Sequence, residues 1–239
     1  MSNPHEAGRA RIVAALFDID GTLVDSNDAH ARAWLQALAE SGFNVRFERM
    51  RTLMGMGGDK VVATLALGFD AKSERGRALL ARRKEIFLAD YLPTVEPFAR
   101  AGELVAYIHA RGVRCIVASS SSPEELEPLL DRCGARRYFD HAIEPDEAPH
   151  SKPDPEVVVA ALRWARIDAR QAIMIGDTRF DIEAAHRANV RTIALRAGGA
   201  PAADLVAADA VYDDPASLLE ALQDASLGTL VPTSRSSLG

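Results

Sequence analysis

Asp18 and Asp20 stand two residues apart in Phe17-Asp18-Ile19-Asp20-Gly21, directly after an apolar run. In an extended segment, side chains two apart leave the same side of the chain, so both carboxylates can work on one atom. At the carboxyl edge of a parallel sheet, where ligands of such folds bind, that pair suits general acid–base or nucleophilic work. Asp-x-Asp-Gly is also an ordinary turn, and the pair alone leaves both readings open. Three later segments bear on the choice: Val117-Ala118-Ser119-Ser120, Ser151-Lys152-Pro153-Asp154, and Ile175-Gly176-Asp177-Thr178-Arg179-Phe180-Asp181. They supply hydroxyls, an ammonium, and two carboxylates four residues apart.

Positioning these groups requires strands that end where the groups begin. Residues 12–17 form a short continuous apolar run of the kind expected for a buried strand. Further strand patterns at 113–118, 172–175 and 191–195 end in serines, in Gly176-Asp177 and near Gly198-Gly199. Between them, Phe98, Ala101, Leu104, Val105 and Ile108 hold one helical face, with Gly112 placed as a C-terminal cap. Pro123 after Ser122 and Pro155 after Asp154 each read as a capping residue followed by proline at the first helical position. Strand then helix, repeated, predicts an α/β fold: a doubly wound parallel sheet with helices on both faces. Residues 25–93 break the rhythm with three helical patterns (27–41, 58–67 and 73–91) and no convincing strand. They read as an inserted α-helical cap, leaving 1–24 and 94–226 as the core and 227–239 as a polar tail.

Composition bounds the partners. The chain has 239 residues, 48% hydrophobic and 26% charged, enough to bury a core of one large domain or a core with an insertion. Its net charge of −6 argues against nucleic acid as a partner. The longest apolar runs, 12–17 and 157–162, fall far short of the about 20 residues of a membrane span, so no membrane partner is expected. Cys115 and Cys133 lack any framework or metal spacing and read as reduced packing residues, which implies a cytoplasmic protein. A monomer or weak homodimer is expected.

The ten residues from Phe17 to Ser26, followed in order by the three later segments, resemble the four signature motifs of the haloacid dehalogenase superfamily. The resemblance runs from Arg11 to about Leu222, and residues 25–93 look like the helix-bundle cap that this family inserts after its first strand. It implies a Rossmann-like core and a phosphatase acting on a small phosphorylated metabolite, phosphoglycolate-like or a sugar phosphate. Asp18 would be the nucleophile, giving an aspartyl-phosphate, and Asp20 would protonate the leaving oxygen and then activate water. Asp18, Asp177 and the backbone carbonyl of Asp20 would hold Mg²⁺, the hard cation that anionic oxygens and phosphate require. Asp181 would orient those ligands from behind. Ser119, with Ser120 beside it, would bind the phosphate, and Lys152 would neutralise charge developing there.

The cap is less informative. Gly55-Met56-Gly57-Gly58-Asp59-Lys60 resembles the cap loop that reads the leaving group, and Lys60 could meet a substrate carboxylate or second phosphate, or be a solvated helix-start lysine. His30 and Trp34 could face the cleft, or Trp34 could pack the cap helix with His30 at the surface. His109, His141, His150 and His186 read as structural or exposed. An acidic residue at position 20 disfavours carbon–halogen cleavage within the family. A β-phosphoglucomutase-type phosphotransferase is the alternative, but that group's cap arginine would fall near Gly58, and its acidic residue before the last motif's Asp is replaced by Gly176. A catalytically silent binding module is a third reading, disfavoured because Asp18, Asp20, Lys152 and Asp177 are all present.

Overall fold

The computed structural model describes residues 11–144 and 146–225; the expected tail at 227–239 lies outside the described residues. Six parallel strands form one sheet in the order β3-β2-β1-β4-β5-β6. They are β1 (Ala14–Phe17), β2 (Arg114–Val117), β3 (His141–Ala142), β4 (Ala172–Gly176), β5 (Arg191–Leu195) and β6 (Ala210–Tyr212). The four expected strands are present, with ends shifted by up to two residues. β3 and β6, two and three residues long, occupy the two edges. Both are too short to stand out as apolar runs, and an edge strand pairs on one side only and needs less burial.

β1 shows why these runs become buried parallel strands. Ala14 and Leu16 pack with Val158, Ala161 and Ala184 on one face, while Ala15 and Phe17 join Leu104, Leu129 and Leu218 on the other. Both faces are covered, so the strand is apolar throughout rather than alternating. The covering helices are α5 (Ala101–His109), α6 (Pro123–Arg132), α7 (Glu156–Ala165), α8 (Arg179–Arg187), α9 (Ala202–Leu205) and α10 (Pro215–Asp224). Pro123 does open α6 behind Ser122, whose hydroxyl and Glu125 make a reciprocal cap. At α7 the helix starts one residue later than expected: Pro155 is the cap, and Asp154 faces other partners described below. Gly112 follows α5 with φ of +72°.

Residues 27–86 supply α1 (Asn27–Glu40), α2 (Phe47–Arg51), α3 (Gly58–Leu65) and α4 (Glu74–Ile86), with no strand among them. The five-residue α2 lies in a stretch where no pattern was expected, too short to show a period. The chain leaves and re-enters the core through adjacent crossings: Asp25 N donates to Glu96 O at 2.9 Å, and Val24 bridges Pro97. We propose the core–cap boundary at these crossings, close to residues 24 and 94. Cys115 and Cys133 are buried and unpaired, and burial pushes the Cys115 thiol up to about 12. Among the described residues no helix is long and apolar enough to cross a membrane.

Candidate active site

β1 and β4 lie side by side with Phe17 opposite Ile175, so the residues that follow them emerge together. Asp18 extends the ladder, its N–H donating to Ile175 O at 2.9 Å. Asp177 comes from the next strand end. The loop before α7 brings Lys152 between Asp18 and Asp181, with Nζ 2.8 Å from Asp18 Oδ1 and 2.7 Å from Asp181 Oδ1. Lys152 is only 1% exposed. Asp181 sits in the first turn of α8, where its other oxygen accepts from Thr178 N at 3.0 Å and Thr178 Oγ1 at 2.6 Å. A helix cap therefore fixes the carboxylate that orients the lysine.

Asp177 is held from the other side. Its Oδ1 accepts from Thr22 Oγ1 at 3.1 Å and its Oδ2 from Asn27 Nδ2 at 2.8 Å. The turn carrying Thr22 approaches so closely that a Cβ on Gly21 would lie 2.2 Å from Asp177 Oδ2, and Gly21 has φ of +77°. Both conditions require glycine there.

One ammonium thus serves a crowded set of carboxylates. Ligand oxygens of Asp18, Asp177 and Asp181 lie within 4.8 Å of one another. Burial pushes Asp18 up to about 7 even against the attraction of Lys152, with Asp181 and Asp20 adding to the rise. Burial, Asp181 and Asp18 also hold Asp177 well above the ordinary carboxylate range. Burial would lower the Lys152 pKa, but Asp18 and Asp181 hold it above its usual value. Asp18 Oδ2 is buried without a hydrogen-bond partner. An orphaned carboxylate oxygen in a cluster short of positive charge fits a hard divalent cation.

Asp20 points elsewhere. Its Oδ1 accepts from Ser26 Oγ at 2.5 Å and His30 Nε2 at 2.8 Å, and its Oδ2 from Ser121 Oγ at 2.6 Å. Burial would raise its pKa, but His30 and the two hydroxyls outweigh that and hold Asp20 below the usual carboxylate range. Arg83 Nη1 lies 3.3 Å from His30 Nδ1. Arginine has only donors, so Nδ1 accepts and the ring proton sits on Nε2, directed at Asp20. Phe87 stacks on the imidazole at 3.8 Å between centroids. Arg83 also pairs with buried Glu125 of α6, linking cap to core.

A cavity of about 50 Å³ collects these groups; Asp18, Asp20, Lys152 and Ser119 to Ser121 line it from the core. His30, Trp34, Arg83 and the loop around Gly55 face it from the cap. The structure therefore brings Asp18, Asp20, Ser119, Ser120 and Lys152 to one cavity and sets Asp177 and Asp181 against it through Asp18 and Lys152. His30 is buried at the cavity rather than at the surface, and Trp34 meets both readings, lining the cavity while packing in the cap's apolar cluster. Lys60 is not brought in: its Nζ lies 2.6 Å from Asp154 Oδ2, a cap–core ion pair away from the cavity lining. His141 stacks on Trp164, and His109, His150 and His186 lie against Asp140, Glu156 and Asp209. Ser26, Asn27, Ser121 and Arg83 went unnoticed in the sequence. The first two adjoin the Asp-rich segment, and Ser121 is the third of four serines. Arg83, inside Arg82-Arg83-Lys84, looks like part of a solvated face.

Strand ends, a bridging lysine and a helical cap over them place the chain among carboxylate-based hydrolases built on a parallel sheet. More specifically, the chain belongs to the haloacid dehalogenase-like hydrolase family, whose model matches residues 15–195. A phosphoglycolate phosphatase of Pseudomonas fluorescens is 32% identical over 237 residues, covering 93% of this chain and 82% of that protein. An N-acetylmuramic acid 6-phosphate phosphatase of Pseudomonas putida is 28% identical, covering 91% and 99%. Among solved structures, a hydrolase from Pseudomonas syringae superposes with a TM-score of 0.83 at 25% identity, covering 90% of this chain and 100% of that one.

Proposed function

We propose that the protein is a Mg²⁺-dependent phosphatase that hydrolyses a small phosphate ester through an aspartyl-phosphate. The observation that carries this reading is Asp18: buried, with one oxygen held by Lys152, the other without a partner, and the residue at the cavity wall. A carboxylate so placed attacks phosphorus as the ester P–O bond breaks, and the leaving oxygen takes a proton from Asp20. Water then attacks the acyl phosphate, Asp20 takes its proton, and phosphate and Asp18 are released. The ionised Asp20 of this structure is in the state that accepts a proton. To donate one it must first give up part of its hydrogen-bonding set, and one of its donors, His30, is carried by the cap. Lys152 keeps Asp18 in place and offsets negative charge during transfer, with Ser119 and Ser120 as phosphate-binding groups.

The carboxylates of Asp18 and Asp177, with the Asp20 backbone carbonyl, would hold Mg²⁺, and Asp181 would act through Lys152. When bound, the ion neutralises carboxylate and phosphate charge at the reacting centre. The relatives named as phosphatases support the reaction class. The mutase alternative is weakened at Gly176, where a Cβ would lie 2.5 Å from the Asp181 carboxylate carbon, leaving no room for a side chain. The test is phosphate release from p-nitrophenyl phosphate by the purified protein. Release is expected with Mg²⁺, none after EDTA, and none from Asp18→Asn; metal-independent release or an active Asp18→Asn would overturn the assignment.

A further inference from the structure

The catalytic cavity is small for the whole of a phosphorylated metabolite, at about 50 Å³. A second cavity of about 200 Å³ adjoins it, and the two share Gly58, Ser119, Ser120 and Ser121 in their walls. With the phosphoryl group at Asp18, this neighbour is the space available to the leaving group. Its chemistry is one-sided. Asp59 of the cap and Glu144 of the loop after β3 line it, beside serine hydroxyls and the side chain of Ser151. Among the described residues that line it, none is lysine or arginine.

The nearby candidates for a positive group are already committed. His150, which itself lines this cavity, has Nδ1 2.6 Å from Glu156 Oε1, and Lys60 is bound to Asp154. Arg83, which lines the catalytic cavity and not this one, is paired with Glu125. Gly58, at the junction, offers only backbone: a Cβ there would lie 2.5 Å from Leu80 Cδ2.

We infer that the leaving group is an uncharged polyhydroxylated moiety of sugar size, and that the second cavity discriminates against esters whose leaving group carries a carboxylate or a second phosphate. Hydroxyls of such a group can donate to Asp59 and Glu144 and exchange hydrogen bonds with Ser120 and Ser121. A second anion would face two carboxylates with no lysine or arginine on the wall to offset them and with the one imidazole there turned to Glu156, so discrimination comes from repulsion as much as from fit. The inference rests on the phosphatase reading and separates this chain from relatives named for phosphoglycolate.

The experiment compares kcat/KM of the Mg²⁺-loaded enzyme on glucose 6-phosphate, glucose 1,6-bisphosphate and phosphoglycolate, with p-nitrophenyl phosphate as the reaction control. The neutral sugar ester is expected to exceed both anionic esters at least tenfold. In Glu144→Lys, a change at an exposed position, the ratio of bisphosphate to glucose 6-phosphate should rise at least tenfold. A wild type that prefers either anionic ester, or a ratio that Glu144→Lys leaves unmoved, overturns the inference while the phosphatase reading stands. Failure on p-nitrophenyl phosphate as well as on all three metabolites overturns the phosphatase reading and this inference with it.

Discussion

Asp18 is kept ionised only against resistance. Burial raises its pKa to about 7, and Lys152 offsets part of that rise while Asp181 and Asp20 add to it. The unfolded carboxyl titrates near 3.8, so between about pH 4 and 7 the folded metal-free protein holds a proton that the unfolded chain has lost. Stability contributed by this group is therefore full below about pH 4 and falls as pH rises through about 7. Asp20 acts in the opposite sense and in another window. Its folded pKa lies below the unfolded value, so its contribution is present above about pH 4 and disappears only in stronger acid. Asp18→Asn removes the titration while keeping the shape. Thermal melts of EDTA-treated protein from pH 5 to pH 8 should show a smaller fall in Tm for Asp18→Asn than for wild type, and identical slopes would contradict the assignment. Turnover by the same variant should drop at least about a thousandfold, because the amide cannot form the covalent intermediate.

At the scale of elements, α1 and α4 bring His30 and Arg83 from the cap to a core carboxylate. His30→Ala should lower kcat about tenfold or more, towards the roughly 10²–10⁴ that general acid–base catalysis supplies, and move the alkaline limb of the kcat/KM profile to higher pH, because Asp20, the acid of the first step, loses a donor to its carboxylate. His30→Gln, which keeps an amide N–H, should retain more activity; equal loss in both variants with an unmoved profile would reduce His30 to packing. Lys60 lies in the first turn of α3. Since it is tied to Asp154, Lys60→Ala should change KM for an acidic ester and for p-nitrophenyl phosphate alike, and a rise confined to the acidic ester would return Lys60 to substrate reading. These two residues mark how far the sequence could be read. The buried strands were legible because continuous apolar runs stop at polar residues, and the motif residues sit at those stops. The cap contacts were not, because an arginine in a charged helical run and a lysine at a helix start look alike until the fold supplies Glu125 for one and Asp154 for the other. Edge strands β3 and β6 and the short α2 escaped for a related reason, since two to five residues carry too little periodicity to register.

Across the whole molecule, one apolar cluster runs from the sheet into the cap, joining Phe17, Leu23 and Leu104 to Trp34, Leu79 and Phe87. The cap and core are therefore coupled by packing as well as by the Arg83–Glu125 and Lys60–Asp154 pairs, and events at the metal-binding end should reach global stability. In the metal-free protein Asp18 and Asp177 are both raised, so the cation competes with protons for the same oxygens. Mg²⁺ should accordingly stabilise the fold more at pH 8 than at pH 5. A ligand at about 100 times its dissociation constant adds about 2.7 kcal/mol. At about 2–4 °C per kcal/mol for a protein of this size, the Tm increment at pH 8 is about 5–10 °C. Differential scanning fluorimetry with and without Mg²⁺ at the two pH values measures it directly, and Asp177→Asn, which keeps the side chain's size but not its charge, should abolish most of the increment. An increment independent of pH, or one that survives in Asp177→Asn, would place the cation away from this pair of strand ends.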